Sequence, residues 1–272
     1  MTRRATRATA LVSAIAVLAG AATAFAQRRQ LFGGFQREPS GSNLKYDGRF
    51  TFARLKYTSG PGGYYYCGLP AWAHGYVSCR GGSRAESNLM KIMNELSYLN
   101  AHVEESAVFA LDDPELSKYP LAYMTEAGYW TATDKEAAAF RAYLLKGAFV
   151  IFDDFRDPPR GGGGWENFEA NMRRVLPEGR FVDLNPSYPI FDSFFKIESF
   201  EIIPQFYDVM VRPTIRGLFE DNDPKKRLMA IANFNTDIAE FWEFSAIGFR
   251  PISESNEAYK LGVNYIIYGM TH

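Results

Sequence analysis

The feature that most constrains the fold is an uninterrupted apolar run, AFVIF at residues 148–152, which lies between Gly147 and the pair Asp153-Asp154. A run of this length, bounded by a glycine and by acids, is typical of a strand that is covered on both faces. Two covered faces require helices on both sides of the sheet, and this arrangement occurs mainly with parallel strands. The run therefore predicts an α/β fold.

Helix and strand signals alternate along the rest of the chain. Capping boxes of the form Ser/Thr-x-x-Glu begin at Ser83 and Thr133, and apolar residues at helical spacing follow each of them. A third helix is predicted from Trp165, and Ser255 is predicted to cap the last helix. Strands are predicted at residues 49–57, 103–111, 120–125 and 181–184, and twice within 214–233. This order predicts a three-layer Rossmann-like or flavodoxin-like sandwich with a mainly parallel sheet.

The amino terminus has the organisation of a secretory signal peptide. Three arginines precede an alanine-rich apolar run, and the segment closes with AFA at residues 24–26. This pattern predicts cleavage after residue 26 and a secreted or periplasmic mature chain. A retained membrane anchor is the alternative, and Ser13 and Gly20 disfavour it because they interrupt the run.

Charge and hydropathy argue against a nucleic-acid partner and against a membrane-spanning segment in the mature chain. The full chain has a formal net charge of -1, and loss of the three N-terminal arginines makes the mature chain more acidic. A nucleic-acid partner is therefore not expected, because it would need a basic surface. No later segment is long and apolar enough to span a bilayer, so the mature chain is not expected to cross a membrane.

The mature chain divides into a short tether and one domain. Residues 27–47 mix Gly, Pro, Ser and charged residues and predict a flexible linker, and residues 48–272 form a single α/β domain. Residues 58–82 are an insertion that carries Cys67 and Cys79, and an even pair in an exported chain predicts a disulfide. A metal site with His74 and a Cys-His nucleophile are the alternatives. Too few nearby ligands disfavour the first, and an oxidising compartment disfavours the second.

Acidic residues follow two of the predicted strands. Asp153 and Asp154 come after the buried run, at the carboxyl edge of the sheet, and alternation sends their side chains in different directions. One is expected to face a site while the other caps the loop. Glu126 follows the strand at 120–125 and is expected beside them. These residues are candidates for acid-base catalysis, and Asp153 and Asp154 also for binding a divalent cation such as Mg²⁺ or Ca²⁺. The alternative is that they accept hydrogen bonds from loop N–H groups.

The loop after the Asp pair ends in four glycines, residues 161–164, before a helix. Such a loop resembles a phosphate-binding turn, but no Lys-Ser/Thr follows it and acids precede it, so no nucleotide cofactor is expected. A mobile flap and a plain connection both remain open. Arg156 on this loop is a ligand-binding candidate. Asn233 and Asp237 are further candidates because their oxygens alternate along the chain, with turn capping as the alternative.

Aromatic residues crowd the insertion around the two cysteines. Tyr65 and Trp72 are candidates for stacking on a sugar or a protein partner, because aromatic rings on an exposed loop that a disulfide closes suit such contacts. The alternative is a local core that packs on the sheet.

Six segments occur in order along the chain: FTFARLKY, SNLMKIMNEL, YPLAYMTEAGYW, DKEAAAFRAYLLKGAFVIFDDF, NPSYPIF and AYKLGVNYIIYGMTH. Together they resemble the bacterial family known as domain of unknown function 4159. The resemblance implies a class I glutamine-amidotransferase-like α/β domain over residues 48–272. The cysteine-bearing insertion departs from the family pattern.

The amidotransferase reaction itself is not expected. It needs a cysteine on a tight strand-to-helix turn with a histidine in hydrogen-bond reach. The predicted turns carry Glu126 and Asp153 instead, so the triad is predicted to be absent. The favoured hypothesis is a non-catalytic module of the cell envelope that binds a glycan or another envelope protein. The rival hypothesis is a metal-assisted hydrolase, with glycans as the candidate substrate class, that uses the acids at the sheet edge.

Overall fold

The computed structural model describes residues 43–64, 68–76, 85–104, 106–157, 164–201, 203 and 212–272. Four predicted features lie outside these ranges. They are the disulfide of Cys67 and Cys79, the stacking candidate Tyr65, the capping box at Ser83, and glycines 161–163 of the glycine run. The strands in the described residues are β1 (Ala53–Lys56), β2 (Thr58–Ser59), β3 (Ala107–Ala110), β4 (Leu121–Thr125), β5 (Trp130–Thr131), β6 (Phe149–Phe155), β7 (Phe181–Asp183), β8 (Thr214–Phe219) and β9 (Leu228–Phe234).

Five α-helices lie in the described residues: α1 (Ala85–Leu96), α2 (Asp134–Leu145), α3 (Gly164–Val175), α4 (Ile238–Glu243) and α5 (Ile252–Thr271). The capping box predicted at Thr133 is confirmed, because its side chain accepts from the backbone N–H of Glu136 while the Glu136 carboxylate accepts from the backbone N–H of Thr133. None of the described helices is both long enough and apolar enough to cross a membrane.

The main sheet has seven strands in the order β3-β1-β4-β6-β9-β8-β7. The pairings from β3 across to β9 are parallel, whereas β8 is antiparallel to both of its neighbours. A short connection over residues 220–227 makes β8 and β9 a hairpin, which requires antiparallel pairing. The prediction of an α/β fold with a mainly parallel sheet is confirmed.

Helices cover both faces of this sheet. Along β6, Val150 and Phe152 point into a core shared with α2 and α3, and Phe149 and Ile151 point into a second core shared with α1, α4 and α5. All seven residues of β6 are buried. The apolar run is continuous because each face of the strand meets its own layer of helices.

Several boundaries differ from the predictions. The strand predicted at 49–57 spans only Ala53–Lys56, and the one predicted at 103–111 spans only Ala107–Ala110. Strand β6 extends through Asp153 and Asp154 to Phe155, which pairs with Phe234 after a shift in register. The last helix begins at Ile252, so the predicted cap at Ser255 is wrong. Pro251 precedes the helix, and Ser255 lies buried one turn inside it. The insertion contains β2 and a 3₁₀ turn, Ala71–Ala73.

Candidate metal centre

The carboxyl ends of β4, β6 and β9 lie side by side at one edge of the sheet. Glu126 directly follows β4, and Asp154 is the penultimate residue of β6. Asp237 comes three residues after β9. Their side chains converge because parallel strands present the same end at the same edge. All three residues are buried.

Each of these three strand ends contains a left-handed residue that is not glycine. The φ angles are 51° at Glu126, 55° at Asp154 and 61° at Asn235. Such residues cost about 1–3 kcal/mol and persist where surrounding contacts enforce them. The Tyr57 hydroxyl supplies one such contact by donating to the carbonyl oxygens of Thr125 at 2.9 Å and Glu126 at 2.8 Å. Left-handed residues that other contacts hold in place cluster at functional sites in proteins, and three of them meet here.

Asp153 faces away from these acids and holds α4 against the sheet. Its carboxylate accepts hydrogen bonds from the Tyr123 hydroxyl at 2.9 Å, the Asn233 amide at 3.1 Å and the backbone N–H of Ala239 at 3.1 Å. Asn233 accepts in turn from the Tyr265 hydroxyl at 2.9 Å. Asp153 and Asn233 therefore belong to a buried network that positions α4, and Asp154 is the member of the pair that faces the site.

His74 brings an imidazole to this edge from the insertion. Its Nδ1 atom lies 2.6 Å from Oδ2 of Asp154 and 3.6 Å from Oε1 of Glu126, and its Nε2 atom lies 3.8 Å from Oε2 of Glu240. Glu240 is on the first turn of α4 and is buried. The side chain of Asp237 caps the same helix by accepting from the backbone N–H of Glu240 at 2.9 Å.

We call the following five residues the His-acid cluster: His74, Glu126, Asp154, Asp237 and Glu240. They form two sets that share the histidine, one with Glu126 and Asp154 and one with Asp237 and Glu240, and the ligand atoms of each set lie within 4.8 Å of one another. Imidazole nitrogen and carboxylate oxygen are the donors that Zn²⁺ and Mn²⁺ accept in proteins. The geometry thus fits a divalent cation.

The electrostatics of the His-acid cluster favour the binding of a positively charged ion. Burial, and then the charge of Asp154, raise the pKa of Glu126 well above the carboxyl range, although Arg156 opposes this. Burial and the same neighbour also raise the pKa of Asp237. Burial lowers the pKa of His74, but Asp154 and then Glu240 outweigh it and bring that pKa to about 9. The raised pKa values of Glu126 and Asp237 reflect negative charge that nearby cations do not balance, and a divalent ion would supply the missing positive charge.

We expect the metal-free protein to lose stability as pH rises from about 5 to about 9. The pKa of Asp153 is raised from 3.8 to about 7, and those of Glu126, Asp237 and His74 are also raised. The native state therefore binds more protons than the unfolded state across this range, and the free energy of unfolding must fall. For His74 the contribution is complete below 6.5 and is lost as pH passes about 9.

Thermal unfolding in a chelator at several pH values checks this. Glu126→Gln should flatten the decline because it removes one of the groups with a raised pKa, whereas Glu95→Gln, on the exposed side of α1, should leave it unchanged. A melting temperature that rises over this pH range, or identical slopes in all three proteins, would contradict the prediction.

Arg54 fixes the turn that carries His74. Its guanidinium is fully buried and donates from Nη1 to the carbonyl oxygens of Trp72 at 3.0 Å and His74 at 2.7 Å. Its Nε atom donates to Glu86 of α1 at 2.6 Å. The charge also lies over the ring of Tyr123, 5.1 Å from the centroid. The insertion is thus tied to both the sheet and α1 at the point where His74 enters the site.

The other residues predicted for the site have different positions. Trp72 is 3% exposed and packs in the core, so its ring offers no open face for stacking, which matches the alternative of a local core. Arg156 lies close enough to lower the pKa of Glu126. Gly164 begins α3 and passes so close to Gly128 that a Cβ atom at Gly128 would lie 2.5 Å from its nitrogen.

Glu240 was not among the site residues predicted from the sequence, and His74 was not predicted to lie at the sheet edge. A signal for Glu240 was present, because Asp237 and Glu240 are spaced three residues apart at the start of a helix that follows a strand. No comparable signal existed for His74. In sequence, Glu126 is 52 residues away from His74, and Asp154 and Glu240 are further away. Only the fold brings these residues together.

Comparison with known protein families places the chain in one of them. A family model described as Domain of unknown function (DUF4159) matches residues 51–270, which include every described strand and all five members of the His-acid cluster. No curated protein is similar enough to be matched.

Proposed function

Because the chain belongs to the family described as Domain of unknown function (DUF4159), whose description assigns no activity, we propose its function from the site: a metal-dependent hydrolase centred on the His-acid cluster. One observation carries the proposal. His74 lies within ligand distance of two separate pairs of buried carboxylates at the carboxyl edge of a parallel sheet, where α/β proteins bind their ligands.

Different residues of the cluster would bind the cation and transfer protons. A divalent cation held by these side chains would supply Lewis-acid polarisation of a water molecule and of the substrate group that the water attacks. Catalytic zinc sites use three protein ligands, whereas this cluster offers five side chains. Carboxylates that do not bind the cation remain available to accept the proton that the attacking water releases and to return it to the leaving group. Asp153 positions α4, and therefore Glu240, without contacting the cation.

The strand order supports an amidotransferase-like or flavodoxin-like scaffold. Numbered along the chain, the parallel strands β3, β1, β4, β6 and β9 have the order 2-1-3-4-5, which is the order of flavodoxin-like sheets. Both cysteines of the chain belong to the insertion at residues 58–82, and the turns after β4 and β6 carry acids. The scaffold is thus proposed without the amidotransferase reaction.

Export to the periplasm or the exterior remains part of the proposal and rests on the N-terminal signal pattern. A non-catalytic envelope module is the competing function. It would use the same cation only to hold the insertion on the sheet. The raised pKa values of Glu126 and Asp237 favour a centre that binds a cation, and a test of hydrolysis separates the two functions.

Metal analysis and a hydrolysis screen test the proposal on the mature chain. Purified protein is stripped with a chelator and titrated with Zn²⁺, Mn²⁺, Mg²⁺ and Ca²⁺ by calorimetry, and chromogenic esters, phosphoesters and glycosides are then offered. We expect saturable binding of Zn²⁺ or Mn²⁺ and hydrolysis of one substrate class that the chelator abolishes and the cation restores. Absence of any cation binding would refute the proposal. Tight binding without hydrolysis would favour the envelope module.

A further inference from the structure

The first half of α3 packs directly on the turn that carries Glu126. Gly128 of this turn and Gly164, the first residue of α3, are so close that a Cβ atom at Gly128 would lie 2.5 Å from the nitrogen and 3.0 Å from the Cα atom of Gly164. A side chain does not fit between two backbones at this separation, and glycine is the residue that permits it. The helix can therefore bind the turn through its own side chains at short range.

Two asparagines of α3 bind this turn. Asn167 donates from Nδ2 to the carbonyl oxygens of Gly128 at 2.9 Å and Trp130 at 2.8 Å. Asn171 lies one turn later on the same face of the helix. It donates from Nδ2 to the carbonyl oxygen of Trp130 at 2.9 Å and accepts at Oδ1 from the backbone N–H of Ala132 at 3.2 Å. The backbone of the turn is thus fixed to α3 by side-chain amides.

The same end of α3 is also fixed to the loop that follows Asp154. Asp157, three residues further along the chain, accepts at Oδ1 from the backbone N–H of Trp165 at 2.9 Å. Gly164 has a φ angle of 79°, and a Cβ atom there would lie 2.5 Å from the same carboxylate oxygen. The start of α3 therefore contacts both the turn after β4 and the loop after β6, which carry two members of the His-acid cluster.

The backbone of Glu126 is hydrogen-bonded on both sides. Its N–H donates to the carbonyl oxygen of Asp153 at 2.9 Å, and its carbonyl oxygen accepts from the N–H of Tyr129 at 3.0 Å. The left-handed conformation of Glu126, with a φ angle of 51°, persists only while such contacts hold it. A shift of the turn would reach Glu126 through the Tyr129 hydrogen bond and would move its carboxylate relative to His74 and Asp154.

We propose that Asn167 is a positioning residue for Glu126, because it holds the turn that sets the Glu126 carboxylate at ligand distance from His74 and Asp154. This role rests on the proposed hydrolase and deepens it, since Glu126 belongs to one of the two ligand sets. Asn167 donates to the backbone of the turn, so it acts on a cation only through Glu126.

Calorimetric titration of the chelator-stripped mature chain with Zn²⁺ and Mn²⁺ tests this role. Asn167→Leu keeps a similar side-chain shape but cannot donate a hydrogen bond. We expect it to weaken cation binding about tenfold, the lower end of the loss that follows removal of a partner behind a metal ligand. Asn167→Ser, whose short side chain cannot reach both carbonyl oxygens, should show the same loss and serves if the leucine variant does not fold.

Asn94→Leu is the matched control. Asn94 is also a half-buried asparagine on a helix, and it donates to the carbonyl oxygen of Ala101 at 3.0 Å, before β3. Its substitution should leave cation affinity unchanged even where it lowers the melting temperature. Unchanged cation affinity in Asn167→Leu, or an equal loss in Asn94→Leu, would overturn the inference.

A double-mutant cycle separates positioning from a general loss of stability. If Asn167 acts through Glu126, Asn167→Leu should lower cation affinity by less than about twofold when Glu126→Gln is already present. A role that is only structural would give the same loss in both backgrounds, and that result would contradict the proposal.

Amide hydrogen exchange in the cation-free protein distinguishes this inference from the proposed hydrolase. The N–H groups of Glu126 and Tyr129 should exchange faster in Asn167→Leu than in the wild type, because local opening of the turn becomes easier, and Asn94→Leu should leave them unchanged. If exchange accelerates but the wild type binds no cation, the positioning of Glu126 stands and the hydrolase fails. If the wild type binds cations and exchange at both amides is unchanged, the hydrolase stands and the positioning role fails.

Discussion

Asp154→Asn is expected to weaken the binding of a divalent cation by on the order of 100-fold or more. Loss of a partner behind a metal ligand already costs about 10–100-fold, and Asp154 offers its oxygen directly to the cluster. Asparagine tolerates the left-handed backbone at this position, where φ is 55°. The substitution therefore removes the charge without disturbing the turn, and calorimetric titration with Zn²⁺ and Mn²⁺ measures the loss.

The same variant should be more stable than the wild type in the presence of a chelator above about pH 9, where His74 is neutral and its ion pair with Asp154 no longer stabilises the wild type. Asp154 raises the pKa of Glu126, Asp153 and Asp237, so its removal relieves repulsion among buried acids. Added cation should then stabilise the wild type and leave Asp154→Asn almost unchanged. Asp192→Asn, at an exposed acid, is the matched control and should behave as wild type. Equal cation affinity in the two variants would remove the cluster from consideration as a metal centre.

Arg54→Met is expected to cost about 3–5 kcal/mol of unfolding free energy, because it leaves Glu86 buried without a partner. Both members of this ion pair are buried, with Arg54 at 0% and Glu86 at 4% exposure. The carbonyl oxygens of Trp72 and His74 lose their donor as well. Urea unfolding in a chelator measures the effect.

The double variant Arg54→Met/Glu86→Gln separates stability from positioning. A neutral pair of similar volume should recover much of the lost stability, since the unpaired charge is gone. Cation affinity should stay reduced, because the turn that carries His74 still lacks its anchor. Arg173→Met is the control. Arg173 forms an ion pair with Glu169 on the surface of α3, and such pairs contribute about 0–1 kcal/mol. If the double variant binds cations like the wild type, Arg54 has no positioning role.

Much of the scaffold was predictable because its signals are local. The run at residues 148–152 indicated a strand covered on both faces, and the structure places its side chains alternately in two cores. The capping box at Thr133 and the acids after the strands were likewise visible at short range. The start of α5 was mispredicted because Ser255 resembles a cap, whereas Pro251 and the preceding loop begin the helix one turn earlier.

By itself, the sequence determined the α/β class, the family, and the presence of Glu126, Asp153 and Asp154 at one edge of the sheet, since strand patterns and chain order carry that information. Only the tertiary structure decided which acid faces the site and which holds α4. It also brought His74 and Glu240 to the same edge, and it placed Trp72 in the core. These outcomes depend on a left-handed residue in β6 and on the buried contacts of Arg54. Contacts between residues far apart in the chain leave no local pattern in the residues that make them.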